Sequence, residues 1–429
     1  MDSDSEKGPH LPVGTRISFY EVLPAELDAK GETVRTCVGY GGFGALYRVS
    51  RGSKIYALKL AHLPLSAYPP AERKSLEERG DREIAALMSL RHPNIVRVHA
   101  FDRWPDPDAR TFIVMDFVEG DRLDDWRLKH SPSLRKICQV FIAISRALAT
   151  AHRQDIFHRD LKPANILVRG TDGQPVIVDW GIARPASSYT ITRAAQAVGT
   201  VTHFAPEYCK FALSVSTVGA PRFQPTPATE LHAVGHMLYE LLTGEGPFPF
   251  GASETETMRN ILVMDLANGL RPPRTLNGAV PPELEAIVLR LLEKDPAKRH
   301  QTGEELAQDL EQQLAKAGPE WDAPFDVAIA AGEGAPASGG TRNDRRKLPA
   351  PSVLDFAVAG TGPPAKPLTL PSLSAAPRPS KWIRRIPRRL RRRRSRRPFR
   401  RSSTLPGRRC GRPMPPAASR AWSWWLRPW

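Results

Sequence analysis

The sequence predicts an α+β fold of two lobes, a small β-rich N-terminal one and a larger, mainly helical C-terminal one, with a disordered C-terminal tail. Three observations predict it. Strand-like apolar runs flank a glycine-rich stretch near residue 40 and recur up to residue 118. Apolar residues at helical spacing dominate from residue 134 onward. The composition then shifts to Pro, Ala and Gly after Ala317 and to Arg after Lys381, and neither stretch can bury enough apolar surface to fold.

The 429 residues divide on this reading into an N-terminal extension (1–30), a first lobe (31–116), a second lobe (117–316), a linker (317–380) and a basic tail (381–429). The extension has a weak mixed pattern around Ile17 to Leu27 and no clear role. The first lobe opens with Val38-Gly39-Tyr40-Gly41-Gly42-Phe43-Gly44-Ala45-Leu46-Tyr47 between two strand-like runs. Glycines without side chains let backbone amides approach an anion, and Phe43 is placed to cap the loop tip. Alone, such a hairpin is equally a tight turn. Ile55-Tyr56-Ala57-Leu58-Lys59-Leu60 reads as the next strand. Residues 71 to 90 read as a charged amphipathic helix, with Ile84, Leu87 and Met88 at helical spacing. His92-Pro93-Asn94 breaks it. Thr111 to Val118 is a buried strand running into a hinge.

In the second lobe Leu134 to His152 carries Ile137, Val140, Phe141, Ile144, Leu148 and Ala151, enough for one buried helix. It leads into His158-Arg159-Asp160-Leu161-Lys162-Pro163-Ala164-Asn165-Ile166-Leu167. A small hairpin around Thr171-Asp172-Gly173 then ends at Asp179-Trp180-Gly181. Gly181 to Glu207 is rich in hydroxyls: Ser187, Ser188, Thr190, Thr192, Thr200 and Thr202. Further helices are expected over Leu231 to Thr243, Glu254 to Asn268, Pro282 to Lys294 and Thr302 to Ala317.

The spacing within residues 158–167 suits phosphoryl transfer. A carboxylate (Asp160) can take the proton of an attacking hydroxyl, a cation two residues on (Lys162) can neutralise the moving phosphate, and an amide five residues on (Asn165) can hold a metal ion. The run resembles the catalytic loop of eukaryotic-type protein kinases at every defining position. The glycine-rich stretch, Lys59, Glu83, Asp179-Trp180-Gly181 and Ala205-Pro206-Glu207 stand in that family's order. The chain looks closest to the bacterial relatives of eukaryotic Ser/Thr kinases, over about Val34 to Leu314.

The resemblance implies ATP and magnesium as cofactors, with manganese as an alternative ion. It implies that Lys59 holds the α- and β-phosphates and pairs with Glu83, and that Asn165 and Asp179 bind the metal. Val38, Gly39, Gly41, Gly42, Phe43, Gly44, Leu46, Ala57 and Leu167 fall among the nucleotide-binding residues. Met115 lies behind the adenine, whose edge the backbone from Asp116 to Val118 binds. Thr200 bridges Asp160 and Lys162, as in Ser/Thr kinases. Arg159 beside the catalytic Asp implies a segment ordered by phosphate, with Thr190 and Thr192 as favoured acceptors. Glu207 is expected to pair with Arg299. Three departures accompany the match. Trp180 replaces the usual Phe, Glu230 stands where an Asp braces the catalytic loop, and a Pro-containing insert lies between Glu207 and Glu230, where protein substrates dock. The expected activity is protein Ser/Thr phosphorylation; the alternative is a pseudokinase or scaffold that uses the same fold to bind nucleotide and partners.

The net charge of +17 averages two unlike parts. From Thr341 onward 24 basic residues face 2 acidic ones, whereas residues 1–340 carry 38 basic and 43 acidic. The tail reads as a contact for nucleic acid or an anionic membrane surface, where its terminal tryptophans would also fit. It reads equally as a solvated disordered tail, or as the Arg, Pro and Trp enrichment that a shifted frame in GC-rich DNA yields. The four scattered cysteines fit a reducing cytoplasm rather than a disulfide framework. No apolar run is long enough for a membrane-spanning helix.

Overall fold

The structure is a computed structural model, and it describes residues 11–27, 33–41, 44–64, 67–68, 70–105, 110–181, 201–214 and 223–325. Twelve strands are described. They are β1 (Arg16–Ile17), β2 (Tyr20–Val22), β3 (Glu26–Leu27), β4 (Thr33–Arg35), β5 (Cys37–Gly41), β6 (Gly44–Arg51), β7 (Lys54–Ala61), β8 (Val98–Trp104), β9 (Arg110–Asp116), β10 (Gly120–Arg122), β11 (Ile166–Arg169) and β12 (Pro175–Ile177). The described α-helices are α1 (Pro70–Ser89), α2 (Leu123–His130), α3 (Leu134–His152), α4 (Pro206–Ser214), α5 (Pro227–Thr243), α6 (Glu254–Val263), α7 (Pro273–Leu276), α8 (Pro282–Leu291) and α9 (Gly303–Lys316).

The β-rich lobe is a seven-stranded antiparallel sheet in the order β1-β2-β6-β7-β9-β8, with β5 also paired to β6. Alternation along β6 buries Ala45, Tyr47 and Val49 on one face, and Leu58, Leu60, Phe112 and Val114 of the neighbouring strands join them. Residues 16–22, which the sequence pattern assigns to an extension, add β1 and β2 to this sheet. Ile17, Tyr20 and Val22 are buried there. Runs of two and three residues are too short for alternation to declare itself, so the pattern missed them.

The helical lobe is built around α3 and α5. Ser133 caps α3 by accepting the Lys136 N–H at 3.2 Å. Thr226 and Thr229 form a reciprocal cap at the start of α5, where Pro227 sits in the first turn, and Gly244 closes it in the left-handed region at φ 79°. The α3 boundaries are those expected, whereas α6, α8 and α9 are each shorter than the expected spans. Residues 319–325, whose surroundings read as linker, also belong here. Trp321 and Phe325 are buried, the Phe325 N–H reaches the Pro132 carbonyl at 3.3 Å, and the buried Arg127 guanidinium donates to the Phe325 carbonyl at 2.7 Å. Pro, Ala and Gly composition hid two aromatic anchors.

Two connections tie the lobes together. After α1, the Asn94 carbonyl accepts the Ile177 N–H at 2.9 Å, the Val96 N–H donates to the Ile177 carbonyl at 3.0 Å, and the Asn94 amide reaches the Pro175 carbonyl at 2.7 Å. β10, β11 and β12 form a separate three-stranded sheet that carries the chain from the hinge to residue 179. Among the described residues no helix is long and apolar enough to cross a membrane, and Cys37, Cys138 and Cys209 are unpaired thiols. The tail from 326 onward, with its expected polyanion contacts, lies outside the described residues.

Candidate active site

The loop from His158 to Asn165 is held from below. The Glu230 carboxylate, on α5, accepts the Arg159 backbone N–H at 2.6 Å and contacts the His152 ring at 2.8 Å. Burial alone would raise the Glu230 carboxyl; its hydrogen bonds with His152 and the Arg159 N–H help outweigh it and hold the group below the usual carboxylate range. Glu230 therefore does the bracing expected of an Asp, its extra methylene being absorbed by the contact with His152. His158 is fully buried and donates from Nε2 to the Val178 carbonyl at 2.8 Å, while its Nδ1 accepts the Asp160 N–H at 3.3 Å. Arg159 and Asp179 both adopt left-handed backbone, at φ 65° and 57°. Such non-glycine conformations are costly and persist only where the surroundings over-determine them.

Above this base the side chains expected to be catalytic converge. Lys162 Nζ lies 3.2 Å from Asp160 Oδ2. The Asn165 amide donates to the Asp160 carbonyl at 2.7 Å and reaches its Oδ2 at 3.2 Å. Those contacts fix the amide's orientation and leave its carbonyl oxygen to meet a cation. Asp179 comes after β12 and pairs with Lys59 of β7. Trp180 is buried, its Nε1 donating to the Ile177 carbonyl at 3.3 Å and its ring 5.0 Å from that of His158. It shares a core with Ile84 and Leu87 of α1, the place expected for the usual Phe.

One expected contact is replaced. Glu83 does not pair with Lys59; its Oε1 lies 2.8 Å from Arg159 Nη1, and Lys59 is on Asp179 instead. Two cations and two carboxylates form these two pairs. The long Arg159 side chain and its guanidinium fork reach Glu83, which leaves the compact Lys59 ammonium facing Asp179, and every charge is neutralised in the crossed arrangement.

The β-rich lobe positions the remaining expected residues. Gly39 lies opposite Leu46, Leu46 opposite Lys59, and Ala57 opposite Met115, which is buried. A Cβ on Gly44 would stand 2.5 Å from the Leu60 carbonyl oxygen, so only glycine allows β6 to pack there. A Cβ on Gly39 would meet no atom of the described residues within 4 Å. That face of the hairpin is open, as a phosphate cradle requires. The Asp116 N–H is engaged by the Arg97 carbonyl at 3.0 Å, which limits this residue's offer to a base edge to its carbonyl. Val38, Val118 and Leu167 are partly buried beside these strands, with Leu167 paired between Arg122 and Val176. Gly42, Phe43, Thr200, Thr190 and Thr192 lie outside the described residues. Carboxylate and amide oxygens make a hard donor set, and the pair Asp179 and Asn165 fits magnesium rather than a softer ion.

The far end of the hydroxyl-rich segment is clamped as expected. Arg299 is fully buried and bidentate on Glu207, at 3.0 and 2.8 Å. Sequence reasoning did not single out His152, whose contact with Glu230 supports the catalytic loop, nor the histidines of α5. His152 sits at the end of a helix whose pattern is explained by its apolar positions alone.

The protein kinase domain family matches residues 33–310. The serine/threonine-protein kinase PrkC of Bacillus subtilis is 30% identical over 270 residues, covering 63% of this chain and 39% of that protein. The serine/threonine-protein kinase PknB of Mycolicibacterium smegmatis is 31% identical over 279 residues, 64% of this chain and 41% of that protein. The chain thus spans about two fifths of the length of these relatives. Among solved structures, the kinase domain of Mycobacterium tuberculosis PknI aligns over 71% of this chain and 99% of that one, at 20% identity and a TM-score of 0.49.

Proposed function

Because the chain belongs to the protein kinase family, we propose that it transfers the γ-phosphate of ATP to Ser or Thr hydroxyls of protein substrates, its own Gly181–Glu207 segment among them. The observation that carries this reading is the convergence of Lys162 and Asn165 on Asp160, at 3.2 and 2.7 Å, on a loop braced by Glu230.

Asp160 orients the substrate hydroxyl and takes its proton. Lys162, beside it, offsets the charge of the phosphoryl group in transit. Asn165 and Asp179 would hold magnesium, which when bound neutralises charge on the β- and γ-phosphates. Lys59 leaves Asp179 for the α- and β-phosphates, and Glu83 is then the carboxylate available to steady it. Arg159, released from Glu83, becomes a receptor for a phosphate on the segment before Glu207, with Thr190 and Thr192 as the acceptors we favour. Val38, Leu46, Ala57, Met115 and Leu167 enclose the base, and Thr200 bridges Asp160 and Lys162. We assign the β-rich lobe to residues 16–116, the helical lobe to 117–325, the linker to 326–380 and the basic tail to 381–429. The 24 basic residues from 341 onward suit nonspecific contact with polyanions, nucleic acid or anionic lipid, which would weaken steeply with salt.

The test is phosphorylation by the purified full chain with magnesium and ATP, beside Asp160→Asn. Phosphoserine or phosphothreonine is expected from the first, with a rate on the order of 10²–10⁴-fold lower in the second. Nucleotide binding without phosphotransfer by either protein would overturn the reading in favour of a scaffold.

A further inference from the structure

Three side chains that phosphotransfer does not use meet inside the helical lobe. His203 ends the short helical turn Val201–His203, three residues after Thr200. His236 and Glu240 stand one turn apart on α5 and so share a face. Each of the three offers one ligand atom, and these atoms lie within 4.8 Å of one another. His203 Nε2 is 3.4 Å from Glu240 Oε2, and His236 Nδ1 is 3.5 Å from Glu240 Oε1. The two imidazole rings are 4.2 Å apart.

The nitrogens that face this point lack well-formed hydrogen bonds. His203 Nε2 and both ring nitrogens of His236 are buried without a hydrogen-bond partner, although the side chains are only 8% and 1% exposed. Leaving such groups unmet in a buried site is costly. A cation at this point would meet His203 Nε2 and His236 Nδ1. Four-coordinate zinc binds nitrogen and carboxylate oxygen at about 2.0–2.2 Å, which puts neighbouring ligand atoms roughly 3.3–3.5 Å apart. His203 Nε2 and His236 Nδ1 each stand at about this separation from one of the two Glu240 oxygens, Oε2 and Oε1 respectively, and one ligand atom from each of the three residues lies within 4.8 Å of the others.

Ligand chemistry and support also agree. His203 Nδ1 lies 3.0 Å from Thr202 Oγ1, a contact that fixes the ring and leaves Nε2 for a metal. Burial, with the neighbouring His203, pushes His236 down to about 4, so its ring is neutral at physiological pH. Burial alone would raise Glu240, but its close contacts with His203 and His236 hold it ionised, below the usual carboxylate range. Two imidazoles and one carboxylate are a zinc donor set with a fourth position left for water. Glu240 is 29% exposed and gives the ion its way in from solvent.

We propose that His203, His236 and Glu240 bind a zinc ion that fastens the turn after Thr200 to α5. The turn would then be anchored twice. Zinc holds it at His203, and the Glu207–Arg299 pair holds the chain four residues later. The site lies in the helical lobe and does not depend on the catalytic reading above.

The experiment titrates the purified, chelator-stripped full chain with zinc under excess magnesium, which occupies the oxygen donors of the cleft. Bound metal is read by elemental analysis and calorimetry. One zinc per chain is expected in the wild type and in Asp179→Asn. His203→Gln and His236→Gln should each weaken binding by more than the roughly 10–100-fold that loss of a mere supporting partner costs. Cobalt supplies a readout that needs no variant: the wild type should give the intense visible bands of a tetrahedral site. Failure of the wild type to retain stoichiometric zinc, weak octahedral cobalt bands, or equal retention by both His variants would each overturn the proposal.

Discussion

Two groups of charges in this molecule are built from the same chemistry and behave as opposites. In the helical lobe, Arg299 is fully buried, and its guanidinium is used up: Nε donates to the Glu293 carbonyl, Nη1 to Glu207 and the Ala228 carbonyl, and Nη2 to Glu207 and the Lys294 carbonyl. In the cleft, Lys59, Glu83, Arg159 and Asp179 are 17, 26, 29 and 41% exposed, with Lys59 on Asp179 and Arg159 on Glu83. A buried cation with every N–H satisfied by fixed acceptors is a rivet. Half-wet charges that can trade partners are a switch, because either pairing neutralises them and water eases the exchange.

The rivet should be the more damaging to break. Arg299→Ala leaves the Glu207 carboxylate and three backbone carbonyls, those of Ala228, Glu293 and Lys294, without their donor. Glu207→Ala strands a buried guanidinium. Each is expected to destabilise the fold by about 3–5 kcal/mol, as removal of one partner from a buried pair does. Urea unfolding measures it. A loss below about 1 kcal/mol would mean that the clamp is no firmer than a surface pair.

A second, smaller effect sharpens the comparison at the base of the catalytic loop, where the rivet-like groups include a titrating ring. His158 uses both nitrogens in the neutral state, Nε2 as donor to Val178 and Nδ1 as acceptor from Asp160. Burial pushes it below its ordinary value of 6.5, more strongly than the carboxylates of Glu230, Asp160 and Asp179 raise it. The folded state therefore resists a proton that the unfolded chain accepts. Above 6.5 the group is neutral in both states and contributes no pH dependence. Below it, stability falls as pH falls, by at most about 1.4 kcal/mol per pH unit for this one proton. His158→Phe keeps a ring in the core and removes the titration. Unfolding midpoints of the two proteins at pH 7.5 and 5.5, taken with chelator present, should converge as the pH falls, by an amount on the order of 1 kcal/mol. Parallel slopes would contradict the assignment of a neutral buried ring.

How much the sequence disclosed depends on how local each signal is. Helix α3 was legible end to end because twelve of its residues are buried and their spacing is helical throughout. The convergence of Lys162 and Asn165 on Asp160 was legible because the three lie within five residues of one another. Strands β1 and β2 were not, since three buried side chains over six residues do not establish a period. Trp321 and Phe325 were lost in a composition that reads as linker. The crossed pairing was beyond reach for another reason. Glu83, Arg159 and Asp179 were each identified, but which cation meets which carboxylate depends on where two left-handed residues, 159 and 179, aim their side chains. His203 and His236 are 33 positions apart and came together only through the packing of a turn on α5.

The smallest effect tests the switch itself. If Arg159 and Glu83 are partners of convenience, their coupling should be weak and conditional. A double-mutant cycle with Arg159→Met and Glu83→Gln, read by urea unfolding without nucleotide, should give a coupling of about 0.2–1 kcal/mol, the range of half-exposed pairs. With magnesium and a non-hydrolysable ATP analogue, that coupling should fall toward zero, and a cycle between Lys59→Met and Glu83→Gln should gain a similar amount. The sum matters less than the exchange. Two cycles that move in opposite directions on nucleotide binding can arise only if Glu83 changes partner. A coupling between Arg159 and Glu83 that is as large with nucleotide as without it would make this pair a second rivet, and the contrast with Arg299 would vanish.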